Sequence, residues 1–233
     1  MRGLRKESVF LAESGMSLRD LLGAKPDPEF ELSLPKGWER HEASPESQAL
    51  IEKRLSRQLM RVGSVDSMQA FGVLRNMLRQ SMDEMRKQNV IGYFAPSGAD
   101  LSTPFPVPAS IIATIRSAPS AEGMDGYIKR LIVDEGAVAL GKNRALLRVE
   151  RENVRGVGEE QVVFSSTLYV TPVPGTRRRR ALELLAGYGR PTDIPRDDEQ
   201  IQFVHAFFDL MVASLRWKNV SERQALNHGE KTT

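Results

Sequence analysis

The run ALLRVERENVRGVGEEQVVFSSTLYVTPVPGTRRRRALELLAG, residues 145–187, decides the fold. Ala145, Leu147 and Val149 alternate with Arg144, Leu146, Arg148 and Glu150. That is the period of two by which a strand shows different residues on its two faces. Gly156 and Gly158 supply a turn. Alternation then resumes over 162–171, with Val163, Ser165, Thr167 and Tyr169 on one face, so the two stretches predict an antiparallel hairpin. Pro172, Pro174 and Gly175 mark a second turn, and residues 181–187 predict a third strand of the meander.

Downstream, Asp197, Asp198 and Glu199 open a helix in which Ile201, Val204, Phe208 and Met211 line one face. Residues 212–217 read either as its end or as a short edge strand, and 220–233 as a polar disordered tail. Upstream, Met124, Tyr127, Ile128, Leu131 and Ile132 recur at helical spacing, ended by Gly136 and Gly141. Residues 107–115 are β-branched and apolar and predict a central strand, and 90–95 predict another. Between them residues 96–108 carry four prolines and no period, a connector long enough to imply a use. Ser44, Pro45 and Glu46 form a helix start of cap, fixed φ and early acid. Stripes at steps of three and four then predict two consecutive helices, or one helix with a break, interrupted at Gly63 and Ser64. Phe30, Leu32 and Leu34 alternate with Glu31 and Ser33, a half-buried strand that stops at Pro35-Lys36-Gly37. Residues 1–28 read as an N-terminal arm, and 29–219 as one domain. The fold class is α+β: an antiparallel sheet with helices packed on its faces.

Composition narrows the chemistry. The 233 residues contain no cysteine, which excludes disulfides, thiolate nucleophiles, Cys zinc sites and iron–sulfur clusters. The net charge of +3 is a near balance, short of the clustered excess that collects nucleic acid along a whole chain. No apolar window approaches the roughly 18 residues of a membrane helix. Val9, Phe10, Leu11 and Ala12 are too few for a signal core. The expectation is a cytoplasmic protein without a membrane partner.

Two end motifs carry a resemblance. FELSLPKGW, residues 30–38, resembles the opening strand and Pro-x-Gly-Trp turn of the PsbP-like family. FFDLMVASLRWKN, residues 207–219, is similar to that family's last helix and its Ser-x-x-Trp segment. The fold is shared by an extrinsic photosystem II subunit, a yeast Ran-binding import factor, bacterial lipoproteins and chaperones of secreted toxins. The resemblance covers about residues 28–219 and implies an α/β/α sandwich with a protein-binding role. It carries over no catalytic residue. Two long helices over 45–88 depart from the family's shorter insertion, and neither a transit peptide nor a lipobox cysteine is present.

Nucleophile and nucleotide motifs are absent: there is no G-x-S-x-G, Walker pattern or G-x-G-x-x-G. Adjacent carboxylates such as Asp197 and Asp198 point apart and suit capping. Of His41, His205 and His228, only His205 has a helical carboxylate partner, Asp209 at i+4, which reads as packing rather than as a metal site. No metal or cofactor is expected. Arg177, Arg178, Arg179 and Arg180 are the sharpest charge feature, and residues 144–180 hold eight arginines against four acids. With Arg144 and Arg148 they predict a face for an anionic partner. The competing reading is a solvated turn guarding a sheet edge. Without interleaved aromatics an RNA ligand is disfavoured. Met68, Met77, Met82 and Met85 suit either core packing or an adaptable groove. Phe105, among the prolines, is a candidate partner contact. The first expectation is therefore a non-catalytic adaptor or chaperone that binds another protein, with homo-oligomerisation left open. The second is an anion or nucleic-acid binder using the 144–180 arginines. The third is a small-ligand protein or uncatalogued enzyme with a pocket between the sheet and the Met-rich helix.

Overall fold

In the computed structural model residues 28–60, 65–96, 109–157 and 160–218 are described. The predicted arm, the tail and Phe105 lie outside them. Among the described residues the elements run β1 (Phe30–Glu31), β2 (Trp38–His41), α1 (Pro45–Met60), α2 (Val65–Lys87), β3 (Val90–Pro96) and β4 (Ala109–Ser117). They continue with α3 (Ala121–Val133), β5 (Val138–Leu140), β6 (Asn143–Val157), β7 (Glu160–Pro172), β8 (Arg180–Pro191), α4 (Glu199–Ala213) and β9 (Arg216–Trp217).

The hairpin read from residues 145–171 forms as β6 and β7, in register from Leu147 opposite Val170 to Val157 opposite Glu160. The third strand of the meander is β8, which also takes β4 along its other edge. The sheet is antiparallel throughout, in the order β2-β3-β4-β8-β7-β6-β5. This is the α+β architecture expected from alternation followed by helical periods.

Register assigns the two faces. Val163, Ser165, Thr167 and Tyr169 lie opposite Arg190, Tyr188, Ala186 and Leu184, and opposite Val154, Glu152, Glu150 and Arg148 on the other side. Together with Ile111, Ala113, Phe94 and Trp38 they make a first face. On it lies α4, whose Ile201, Val204, Phe208, Met211 and Val212 are buried. The Trp38 indole packs on Phe207 at 5.2 Å and on Phe208 at 6.4 Å. The second face carries Val149, Leu168, Val170 and Ala181, which pack with Met124 and Leu131 of α3, and with Tyr127 and Ile128 half-buried. Each such aliphatic or aromatic side chain contributes about 1.5–3 kcal/mol by leaving water. Leu146 and Val149 are both buried although they stand on opposite faces, because helices cover both. Alternation alone had put Ala145 on the Val149 side of the strand, but Ala145 is exposed.

Capping follows the sequence. Ser44 accepts the Ser47 amide at 3.1 Å to start α1, and Asp198 accepts the Gln200 amide at 2.9 Å to start α4. The two helices α1 and α2 are tied by Glu52, which accepts from Arg75 and Arg79 at 3.0 Å each. Met82 and Met85 are buried, so these two serve packing, while the side chains of Met68 and Met77 lie outside the described residues.

Three elements differ from the sequence reading. The strand expected over 30–34 shortens to two residues, because the Ser33 amide donates to the Ser214 hydroxyl at 2.8 Å instead of to a neighbouring strand. Trp38–His41 and Val138–Leu140 are strands that periodicity does not mark: WERH has no apolar alternation, and VAL is too short to show one. His41 accordingly sits on an edge strand with its side chain largely covered. Both readings of 212–217 are realised, since α4 runs to Ala213 and Arg216–Trp217 form a strand.

The chain divides into two compact units. The larger, Leu32–Leu215, holds the seven-stranded sheet, the four helices and Trp38. In the smaller, β1 and β9 pair antiparallel and place Phe30 edge-on to Trp217 at 6.1 Å.

Candidate functional site

Alternation on β6 puts Arg148, Glu150 and Glu152 at steps of two on the first face, and α4 lowers His205 and Asp209 onto them. A polar network results inside an otherwise apolar layer. Arg148 Nε donates to Asp209 Oδ1 at 2.8 Å, and the Tyr169 hydroxyl donates to the same oxygen at 2.6 Å. Glu150 is gripped by Arg148 and Arg196. His205 Nε2 meets the Tyr188 hydroxyl at 2.9 Å, and its Nδ1 stands 3.5 Å from Glu150. Glu152 accepts from Ser165 at 2.8 Å and from Arg190 at 3.3 Å. Burial holds the His205 pKa below the usual histidine value, and the Arg148 and Arg196 charges push the same way. Burial and the neighbouring Asp209 carboxylate raise Tyr169 well above the ordinary phenol value. The line Tyr188–His205–Glu150 resembles a proton relay, but His205 Nδ1 makes no hydrogen bond to that carboxylate. It ends, moreover, on Tyr188, a residue only 4% exposed, and its carboxylate is already held by two guanidinium groups. A reacting group needs an open position next to it.

A second polar group lies under α3. Arg116 stacks over the Tyr127 ring at 4.3 Å and pairs with Glu183, to which the Tyr127 hydroxyl donates at 2.5 Å. Burial first, then that carboxylate, pushes the Tyr127 pKa up to about 12. Among the described residues no group of three or more His, Asp or Glu could hold a metal ion. No described helix is long and apolar enough to cross a membrane.

The structure separates the arginines that the sequence groups. Arg148 turns into the network under α4. Arg144 is exposed at the start of β6. Arg177, Arg178 and Arg179 are exposed in the turn between β7 and β8, at the same end of the sheet as Arg144, while Arg180 opens β8 half-buried. In that turn the Arg179 amide donates to the Thr176 carbonyl at 3.1 Å. Arg177 and Arg178 between them have φ of 51° and 59°. Two successive positive φ values closed by that bond make a type I′ turn, where Asn-Gly is the favoured pair. Each left-handed non-glycine residue costs about 1–2 kcal/mol. Arg178 also pairs with Asp125 on α3 at 3.2 Å.

Sequence reasoning missed the outer side of α4. Phe203, Ala206, Leu210 and Ala213 are exposed at helical spacing, with Phe203 54% and Leu210 74% exposed. With Ile201, Val204, Phe208 and Met211 buried on the inner side, α4 carries apolar residues on its outer side as well, flanked there by exposed Glu199 and Gln202. A further concavity of about 900 Å³ has Val162, Phe164 and Leu185 of the second face in its lining, together with Glu152, Tyr188 and Arg190 from the end of the polar network. No methionine lines it, so it is not the pocket expected beside the Met-rich helix.

No family model matches the chain, and no curated protein does. Among solved structures it is similar to LpqN of Mycobacterium tuberculosis, which is involved in cell envelope biogenesis. The two are 11% identical over 84% of this chain and 87% of that one, with a TM-score of 0.37. A likeness this slight carries no argument here.

Proposed function

We propose that the chain is a non-catalytic protein-binding module, and that the outer stripe of α4 receives an apolar helix of another polypeptide. The observation that carries this reading is the exposed row Phe203, Ala206, Leu210 and Ala213 on a helix whose other side is already buried. Exposed apolar stripes on a folded surface mark contact sites. Alternation of large with small residues at steps of three and four forms the ridges and hollows into which a second helix packs. The closed ends of the Tyr188–His205–Glu150 line support a structural rather than a reactive use of the buried polar residues. The PsbP-like resemblance of the two end motifs supports a binding role as well.

A photo-crosslinking residue placed at Leu210 of the full chain, in its own cell, tests the reading. The expected result is an adduct with one other polypeptide, absent when the crosslinker replaces exposed Gln200 instead. Equal yields from the two positions, or no protein adduct from position 210, would overturn it. A second reading, a small-ligand protein, is favoured by the concavity around Phe164 and Leu185. A thermal shift caused by an amphiphilic ligand and lost on Leu185→Arg would promote it.

A further inference from the structure

We propose that the end of the sheet bearing the type I′ turn is a docking site for an acidic polypeptide segment. Segments 117–126, 140–144 and 173–180 gather there, the first and last joined by the Ala118 amide donating to the Arg179 carbonyl at 2.8 Å. They carry six cations, Lys142, Arg144, Arg177, Arg178, Arg179 and Arg180, against two carboxylates, Glu122 and Asp125. All of the cations but Arg180 are exposed. Among the described residues Lys142, Arg144, Arg177 and Arg179 enter no ion pair, while Arg178 already holds the Asp125 carboxylate. That contact shows the ligand chemistry on a small scale, since a guanidinium fork suits a carboxylate.

The turn does not itself require arginine. Its two left-handed positions are better served by Asn-Gly, so the side chains are an addition to the backbone's needs rather than a consequence of them. A polypeptide ligand fits better than a nucleic acid for two reasons. None of the three segments contains an aromatic residue on which a base could stack. Glu122 and Asp125 stand beside the arginines, where a regular phosphate backbone would meet them and a flexible acidic segment can route its charges around them. The site uses different residues on different elements from the α4 stripe and does not rest on that reading.

The test is a titration of a fluorescein-labelled polyglutamate peptide with the full chain at low ionic strength, read by anisotropy. The triple variant Arg177→Asn, Arg178→Gly, Arg179→Ser keeps the turn chemistry, and its circular dichroism should match that of the unaltered chain. The expected result is saturable binding that weakens at least about tenfold in the triple variant and is unchanged by Leu210→Ser. Absence of binding, equal binding by the triple variant, or loss of binding in Leu210→Ser would overturn the proposal. So would a DNA duplex that displaces the peptide more effectively than unlabelled polyglutamate does. A negative result leaves the crosslink at position 210 to be judged by itself.

Discussion

The Tyr188 hydroxyl lies 2.9 Å from His205 Nε2, joining the middle of the sheet to the middle of α4 through two side chains that are both buried. Burial first, then the charges of Arg148 and Arg196, hold the His205 pKa below its ordinary value against the opposite pull of Asp209 and Glu152. Its folded pKa therefore lies below the ordinary histidine value near 6.5, and the unfolded chain takes up the proton first. The stability that neutral His205 contributes is present above about pH 6.5 and is lost as the pH falls toward the folded pKa. Urea midpoints measured between about pH 7.5 and 5.5 should fall more steeply for the native chain than for His205→Gln. Parallel curves would count against this.

Asp209 accepts from both Arg148 and Tyr169, so its removal takes the acceptor from the Tyr169 hydroxyl and leaves Arg148 with Glu150 alone. Loss of one partner of a fully buried pair costs about 3–5 kcal/mol. Asp209 keeps 31% of its side chain exposed, which lowers the expectation for Asp209→Ala to about 2 kcal/mol. The double change Asp209→Leu with Arg148→Met should recover much of that loss in equilibrium denaturation. If the double variant is less stable than Asp209→Ala, the pair is worth more than its desolvation and the assignment is wrong.

Glu52 ties α1 to α2 at its carboxylate. Hydrogen bonds from Gln48 and then from Arg79 and Arg75 pull its pKa down to about 2. A depressed carboxylate contributes stability that is present above its unfolded pKa near 4.5 and lost as the pH falls through about 2. Near neutral pH, Glu52→Gln should cost under about 1 kcal/mol, the scale of solvated pairs. The cost should shrink at high salt. A loss that salt does not change would point to packing instead.

Substitution of Arg177 by Asn and Arg178 by Gly eases two left-handed positions, the first with a residue that tolerates that region and the second by removing the Cβ. The gain is about 1–2 kcal/mol at position 178, offset by about 0.4–1 kcal/mol for the extra freedom that glycine gives the unfolded chain. A net rise of about 0.5–1 kcal/mol in unfolding free energy is expected. A fall would mean that the arginine side chains hold the turn together.

The meander was legible because β6, β7 and β8 are long enough for alternation to show, and α4 because its inner stripe repeats over four turns. β2 and β5 were hidden by shortness: their pairing is set by neighbours, Tyr93 opposite His41 and Arg148 opposite Val138, and not by a pattern of their own. The arginines were legible as a group in sequence and not in space. A period of two sends Arg148 and Glu150 under α4, whereas a turn carries Arg177, Arg178 and Arg179 outward. The polar network had a signal that went unread. Charged residues at alternate positions 148, 150 and 152, on a strand whose neighbour shows Ser165, Thr167 and Tyr169 at the matching step, describe one continuous polar row. His205 and Asp209 at i and i+4 are the helix that completes it.

The Lys218 amide donates to the Glu29 carbonyl at 2.7 Å, beside the Phe30 and Trp217 rings. Residues far apart in the chain are thereby buttoned at one spot, and the polypeptide enters and departs through a common doorway. A circular permutant that splices position 218 to position 29 through a brief linker should leave that clasp fastened. Fusions appended before residue 28 and after residue 218 would begin their paths as neighbours, a suitable geometry for a proximity reporter.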